Sequence, residues 1–424
     1  MNERGMGMPL DDRFRWLGWL SLSEIGTMLV LSNYAALLPI LQKDWALTSA
    51  QAGWIYSSYH IGYILAVAFL TSLTDYIQPK PIYILSALWA GFWGILFAIW
   101  AEGFYSALIL RTLMGIGLAG TYMPGLRMVS ERFASRERGK AIGIYVGAFS
   151  LGLSLSLFLT GLFNSLFSWR WAFFLTSLGP IGGGIIALFK IGKGEGEKTE
   201  EVAKVPLGRI LNNKPALMMI GGYMAHMWEM FGMRGWMVAF LTASLLALQI
   251  DFSKAVGLSS FIAGIVILVG ALSNALGGIL SDKFGRANTI IVVMLGSGLI
   301  SSIIGWTITL PFWFIILLSI LYGLLVTADS SSLSTGVTEL APPGGLGRTM
   351  ALQSLLGFAS ASLSPIVFGY ILDATNPKDA LEKFGYFPHW GWAFMILGWG
   401  GWMGSLVIWE LKREMKFLER PGEI

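Results

Sequence analysis

Eight ionisable side chains lie inside long apolar stretches of this chain: Glu24, His60, Arg111, Arg127, His226, Glu229, Arg234 and Asp329. A charge surrounded by hydrocarbon is expensive, so each is by default a functional candidate facing a cavity. The densest run holds Tyr223, His226, Trp228, Glu229, Arg234 and Trp236. On a helix His226 and Glu229 lie about 60° apart, on one face, and Arg234 about 80° to the other side of His226. A buried imidazole beside a carboxyl suits proton carriage, because imidazole exchanges its proton near neutral pH. The alternative is that the two side chains only bond to each other or to a neighbouring helix. Gly232 and Gly235 offer a place for this helix to break and to bring Glu229 towards Arg234.

Arg111 has no acid on its own helix within reach, so an acid from another helix or an anionic substrate must balance it. Arg127 lies near a span end, where a long side chain can snorkel to water. Asn33, Tyr34, Tyr59, Tyr63, Asn274 and Tyr322 add neutral hydrogen-bonding groups. The expected substrate-binding set is Asn33, Tyr34, His60, Arg111, His226, Trp228 and Arg234; Glu24, Glu229 and Asp329 are the expected proton-coupling acids. Two arginines with histidine and tyrosine suit a carboxylate held by charge-assisted bonds.

The elements that carry these residues are spans. Hydrophobic residues make up 55% of the chain and charged residues 13%, against about one quarter charged in a soluble protein. Twelve apolar stretches reach the roughly 20 residues that cross a bilayer: about 16–40, 50–73, 81–101, 104–128, 140–164, 171–190, 215–247, 257–281, 287–309, 312–336, 349–372 and 389–410. Helix satisfies the backbone within each stretch, as lipid demands. Of the 29 Lys and Arg, three (Arg111, Arg127 and Arg234) fall inside spans and five (Lys43, Arg170, Lys254, Lys378 and Lys383) fall on one face. All the others share the face of the two termini, which is therefore expected to be cytoplasmic. Residues 1–15 are polar and mixed in charge, unlike a cleavable signal. With no cysteine, disulfides, thiolate metal sites and Cys nucleophiles are excluded.

The chain repeats itself. Trp169…Trp171-Ala172-Phe173 returns as Trp390…Trp392-Ala393-Phe394, Thr74-Asp75 as Ser281-Asp282, and Glu131…Arg138 as Glu339…Arg348. Such internal symmetry in an apolar chain points to two bundles with a solute site between the repeats. The polar stretch 190–214 separates them, its 206–213 part reading as a short interfacial helix. The polar loop 373–389 accounts for the longer second half.

Gly278-Ile279-Leu280-Ser281-Asp282-Lys283-Phe284-Gly285-Arg286 resembles the loop signature of the major facilitator superfamily, G-x-L-x-D-R-x-G-R between spans eight and nine. Thr74-Asp75-Tyr76-Ile77-Gln78-Pro79-Lys80 looks like a degenerate first-half copy. Arg111-Thr112-Leu113-Met114-Gly115-Ile116-Gly117 resembles the family's span-four signature, and Arg138-Gly139-Lys140-Ala141 the start of its span five. Span five lacks the Gly-Pro-rich stretch of many proton-coupled exporters in that family, reading Gly147-Ala148-Phe149-Ser150-Leu151-Gly152-Leu153-Ser154.

The resemblance implies an all-α membrane protein of twelve transmembrane helices in two pseudo-symmetric six-helix bundles. The expected boundaries are 1–190, a cytoplasmic linker 191–214, and 215–424. Asp75 with Lys80, Glu131 with Arg132 and Arg138, Asp282 with Lys283 and Arg286, and Glu339 with Arg348 are expected to form a gating network at the cytoplasmic helix ends. The expected function is secondary active transport of a small polar or anionic metabolite across the cell membrane by alternating access, coupled to protons. The alternatives are a proton-coupled exporter of amphipathic compounds, favoured by the many Trp, Phe and Met, and a receptor that kept the fold. No cofactor, metal or nucleic acid is expected, and the chain is expected to act as a monomer. Walker, His-Glu-x-x-His and nucleophile-elbow motifs are missing, which leaves enzyme readings without support.

Overall fold

The computed structural model describes residues 10–74, 76–133, 135–192 and 206–418. In the first half the helices are α1 (Leu10–Met28), α2 (Asn33–Asp44), α3 (Ser49–Leu73), α4 (Pro79–Trp100), α5 (Phe104–Arg132), α6 (Ser135–Leu166) and α7 (Trp169–Lys190). The interfacial helix expected near 206–213 is α8 (Leu207–Leu211). The second half has α9 (Lys214–Ala247), α10 (Phe252–Phe284), α11 (Arg286–Ile304), α12 (Phe312–Ala328), α13 (Ser330–Leu340), α14 (Leu346–Thr375), α15 (Ala380–Phe384) and α16 (Gly391–Leu418). Every apolar stretch read from the sequence is helical over most of its length. Among the described residues eleven spans are long and strongly apolar, counting α1 with α2 and α12 with α13. The twelfth, α3, is 25 residues long and carries Tyr56, Ser57, Ser58, Tyr59, His60 and Tyr63.

Local chemistry sets the helix ends. Asn213 and Asp251 accept from the backbone N–H of Ala216 and Lys254, capping α9 and α10. Gly285 has φ +86°, a backbone region that L side chains rarely adopt. It ends α10 and starts α11 in one residue, which is why the loop signature needs glycine there.

Two spans are interrupted. Span one breaks at 29–32, between α1 and α2, and span ten breaks at Asp329, between α12 and α13. Span seven does not break at the place its glycines offer. α9 runs unbroken through Gly232 and Gly235, whose missing side chains make room for Leu397 and Ser364 and for the Tyr56 ring. These glycines serve close packing.

By packing the chain falls into two units, Met1–Tyr34 with Gly62–Glu200, and Ala35–Ile61 with Glu201–Ile424. The first has a core of Trp16, Leu20, Tyr83, Met128, Phe133 and Tyr145; the second has one of Met219, Ile220, Met294, Leu333 and Ile408. Segment 35–61 groups with the second unit for visible reasons. The Asp373 carboxylate accepts from the backbone N–H of Ser49 at 2.7 Å and of Ala50 at 2.8 Å, at the start of α3. His60 packs edge-on against Phe231, and Ser260 donates to the Ala36 carbonyl. Large apolar side chains such as Leu65, Phe69, Phe92, Val292 and Trp313 remain exposed, as suits surfaces that lipid covers.

Candidate functional site

In the second unit, His226 and Glu229 lie on the buried face of α9, as their spacing predicts, yet they do not pair. Nδ1 of His226 is 2.8 Å from Oδ1 of Asp329, at an angle that falls short of an aligned hydrogen bond. Both side chains are almost wholly buried. The Glu229 carboxyl turns instead to α11, where Ser297 donates to its Oε2 at 3.0 Å. The Tyr322 phenol of α12 interacts with the same carboxyl and donates to Ser301 at 2.8 Å. Oε1 of Glu229 and Nε2 of His226 are buried without a hydrogen-bond partner. Asp329, isolated on its own span, thus joins an acid–imidazole cluster because the break in span ten turns it into the bundle.

Arg234 lies two turns further along α9. Its guanidinium sits over the Phe231 ring at 5.5 Å, a cation–π contact, with Tyr56 of α3 beside it. Arg234 makes no hydrogen bond or ion pair among the described residues, and its Nε is buried. His60 stands on the same side of α3, ringed by Tyr56, Tyr59, Phe231 and Phe358. Trp228 is a packing residue: its indole donates to the Ile396 carbonyl at 3.0 Å.

The first unit treats its arginine differently. Arg111 is fully buried, and its guanidinium donates to the carbonyls of Val30 at 3.0 Å and Leu31 at 3.3 Å and to Asn33 Oδ1 at 3.1 Å. The break in span one frees those carbonyls, and Arg111 satisfies them from α5 while lying over the Tyr34 ring. Oxygens of its own unit thus meet the guanidinium. Asn33 also donates to Thr176 on α7. Arg170 plays the same part at the end of α4, donating to the carbonyls of Ala98, Ile99 and Ala101.

Glu24 sits in a hydroxyl pocket. Tyr145, Tyr83 and Thr27 donate to its Oε2 at 2.7, 3.1 and 3.3 Å, tying α1 to α6 and α4. Its Oε1 is buried without a partner.

At the helix ends expected to form the gate some partners differ. Arg286 grips Glu339 with a bidentate fork, both N–O distances being 2.5 Å, and Asp282 is 3.8 Å away. Glu339 thus pairs across from α13 to α11, where Arg348 had been its expected partner, because Gly285 delivers Arg286 to it. Glu131 pairs with Arg127 on its own helix at 2.7 Å, not with Arg132 or Arg138. Arg127 also donates to Thr74, so it does more than snorkel. Arg138 donates to the Phe133 carbonyl and Lys80 to that of Leu188. Asp75 lies outside the described residues.

Sequence reasoning missed Tyr83, Tyr145, Ser297 and Asp373. The one available signal was that Tyr83 and Tyr145 lie within apolar runs, where a phenol needs a partner.

Comparison with known proteins agrees with this architecture. The chain is 24% identical over 390 residues to the hexuronate transporter of Bacillus subtilis (strain 168), covering 86% of this chain and 89% of that one. It is 32% identical to the probable 4-methylmuconolactone transporter of Cupriavidus pinatubonensis over 127 residues, 30% of this chain and 29% of that protein. Its fold matches the inward-facing, unoccupied crystal structure of a bacterial homologue of the human lysosomal transporter Spinster. The TM-score is 0.76 at 15% identity, covering 98% of this chain and 100% of the other. The family model described as Major Facilitator Superfamily matches residues 20–365 and 230–420. With twelve spans among the described residues, repeated halves and the loop signature, the chain belongs to the major facilitator superfamily of membrane transporters and is not an enzyme.

Proposed function

We propose that this protein carries a small carboxylate-bearing metabolite across the cell membrane as a monomer, accompanied by a proton, and that Arg234 meets the carboxylate. The observation that supports this is the contrast between arginines. Arg111 and Arg170 each spend their guanidinium on three oxygens of their own unit. Arg234 has no such oxygen among the described residues. A half-buried guanidinium in that position calls for an anion, and a carboxylate matches its fork. Tyr56 and His60 supply neighbouring polar edges. The relative named as a hexuronate transporter handles an acid, which supports the same substrate class.

The His226–Asp329 pair with Glu229 is the proposed place of the coupled proton, Glu24 the other acid in contention. The ion pairs at the cytoplasmic helix ends form and break as the gate works. The distribution of Lys and Arg supports cytoplasmic termini.

The test is binding of D-glucuronate and a panel of other carboxylates to detergent-purified variants, alongside their melting temperatures. Arg234→Ala is expected to stay folded and to lose carboxylate binding, and Arg234→Lys to weaken it about tenfold or more, since an ammonium does not reproduce the fork. Arg111→Ala is expected to lose folded protein instead, by about 3–5 kcal/mol, because it orphans buried carbonyls. A folded Arg234→Ala protein with native carboxylate affinity would sink the assignment.

A further inference from the structure

The break in span ten poses a question of hydrogen bonding. Asp329 occupies the N-cap position of α13, and aspartate is among the residues that cap best, taking the N–H two or three residues on. Here its side chain makes no capping bond. The N–H it would take, that of Ser331, already donates to the side-chain oxygen of Asn274 on α10, at 2.9 Å. Asn274 holds the same residue a second time, since the Ser331 hydroxyl donates to the Asn274 carbonyl at 3.0 Å. One turn on, Gly277 gives the break its room: a Cβ there would stand 1.7 Å from the Ala328 carbonyl oxygen. The cap thus comes from a neighbouring helix, and the Asp329 carboxylate is left to face His226.

We propose that Asn274 is a positioning residue for the His226–Asp329 pair: by occupying the Ser331 amide it keeps the Asp329 carboxylate turned into the bundle, where the pair holds the coupled proton. The last clause rests on the proton-coupled reading above; the positioning itself does not. The ionisable groups around the pair are Tyr223 and Glu229 on α9, and Tyr322 on α12. Among the described residues no ionisable side chain of α10, α11, α13, α14 or α16 is hydrogen-bonded or ion-paired to His226, Glu229 or Asp329. The choice open to Asp329 is therefore between two partners, the imidazole and the helix amide. A proton on the pair favours the first. Its loss favours the second, and that exchange would shift α13 against α12.

The chain has three histidines, so nitrogen NMR of 15N-histidine-labelled protein in detergent resolves His226, assigned with His226→Gln. With Asn274→Ala, Asp329 is expected to swing to the freed amide, and the Nδ1 signal of His226 to move to where Asp329→Asn alone puts it. Adding Asp329→Asn to that variant should move it no further, since coupled changes do not add. A native Nδ1 signal in Asn274→Ala, or an additive double variant, would overturn the positioning role. Should Asn274→Ala not fold, Asn274→Asp, which keeps an oxygen at the amide, decides the matter: a native His226 signal supports the proposal and a displaced one refutes it. Proton-independent substrate accumulation by the native protein would overturn only the coupling clause.

Discussion

Each unit buries one glutamate on the first helix of its half, and the two are held in opposite ways. Around Glu24 three hydroxyls from α1, α4 and α6 converge on a single oxygen, with no imidazole in the set. Around Glu229 Ser297 donates and the Tyr322 phenol interacts, and an imidazole and a second carboxylate stand close by. The same division runs through the interrupted spans. In the first unit a permanent cation, Arg111, fills the break. In the second a neutral amide, Asn274, does so and leaves an acid free to choose. A fixed charge on fixed dipoles makes a tie, whereas an acid beside an imidazole and a helix amide has a second partner to turn to.

That contrast can be broken most sharply at Asp329. Asp329→Asn is expected to cut pH-gradient-driven accumulation in proteoliposomes about tenfold or more while sparing substrate exchange. Undiminished accumulation would remove the second cluster from coupling. The next effect in size belongs to Glu24. Glu24→Gln keeps the shape and disturbs the donor geometry of buried hydroxyls, so a stability loss of about 1–2 kcal/mol is expected in denaturant melts. Accumulation should stay within about twofold of native; its collapse would reverse the roles given to the two acids. The smallest effect is expected where α11 meets α13. Glu339→Gln opens the fork to Arg286, a partly exposed pair, for about 1 kcal/mol or less. A two- to threefold slower initial uptake, insensitive to added salt, would fit a gate contact. An uptake rate equal to the native one would make the fork a surface pair with no part in the cycle.

Much of this was open to reading in the sequence. The spans follow from apolar length, and the loop signature carried the position of Gly285, the one glycine there whose positive φ the turn requires. That Glu229, His226, Arg234 and Asp329 would be buried followed from their type and surroundings. Their partners did not follow, because partners come from other helices. The 60° between His226 and Glu229 was right as geometry and silent about Asp329, about a hundred residues away in the chain. Gly232 and Gly235 offered span seven a place to break, yet glycine in a membrane helix also serves close contact. The real breaks fell where an outside side chain, Arg111 or Asn274, was on hand to satisfy the opened backbone. Such compensation has no local signature.

The clamp of Asp373 on the first amides of α3 has a consequence for biosynthesis. It joins residues 324 positions apart. A ribosome adds roughly 5–20 residues per second, so Ser49 leaves it roughly 16–65 s before Asp373 exists. Over that interval α3, with its histidine and tyrosines, sits in the membrane without the helix that closes its amino end. The open amino end of α3 is therefore a demand on assembly: its first amides need a temporary partner, in the insertion machinery or among the early helices, until α14 arrives.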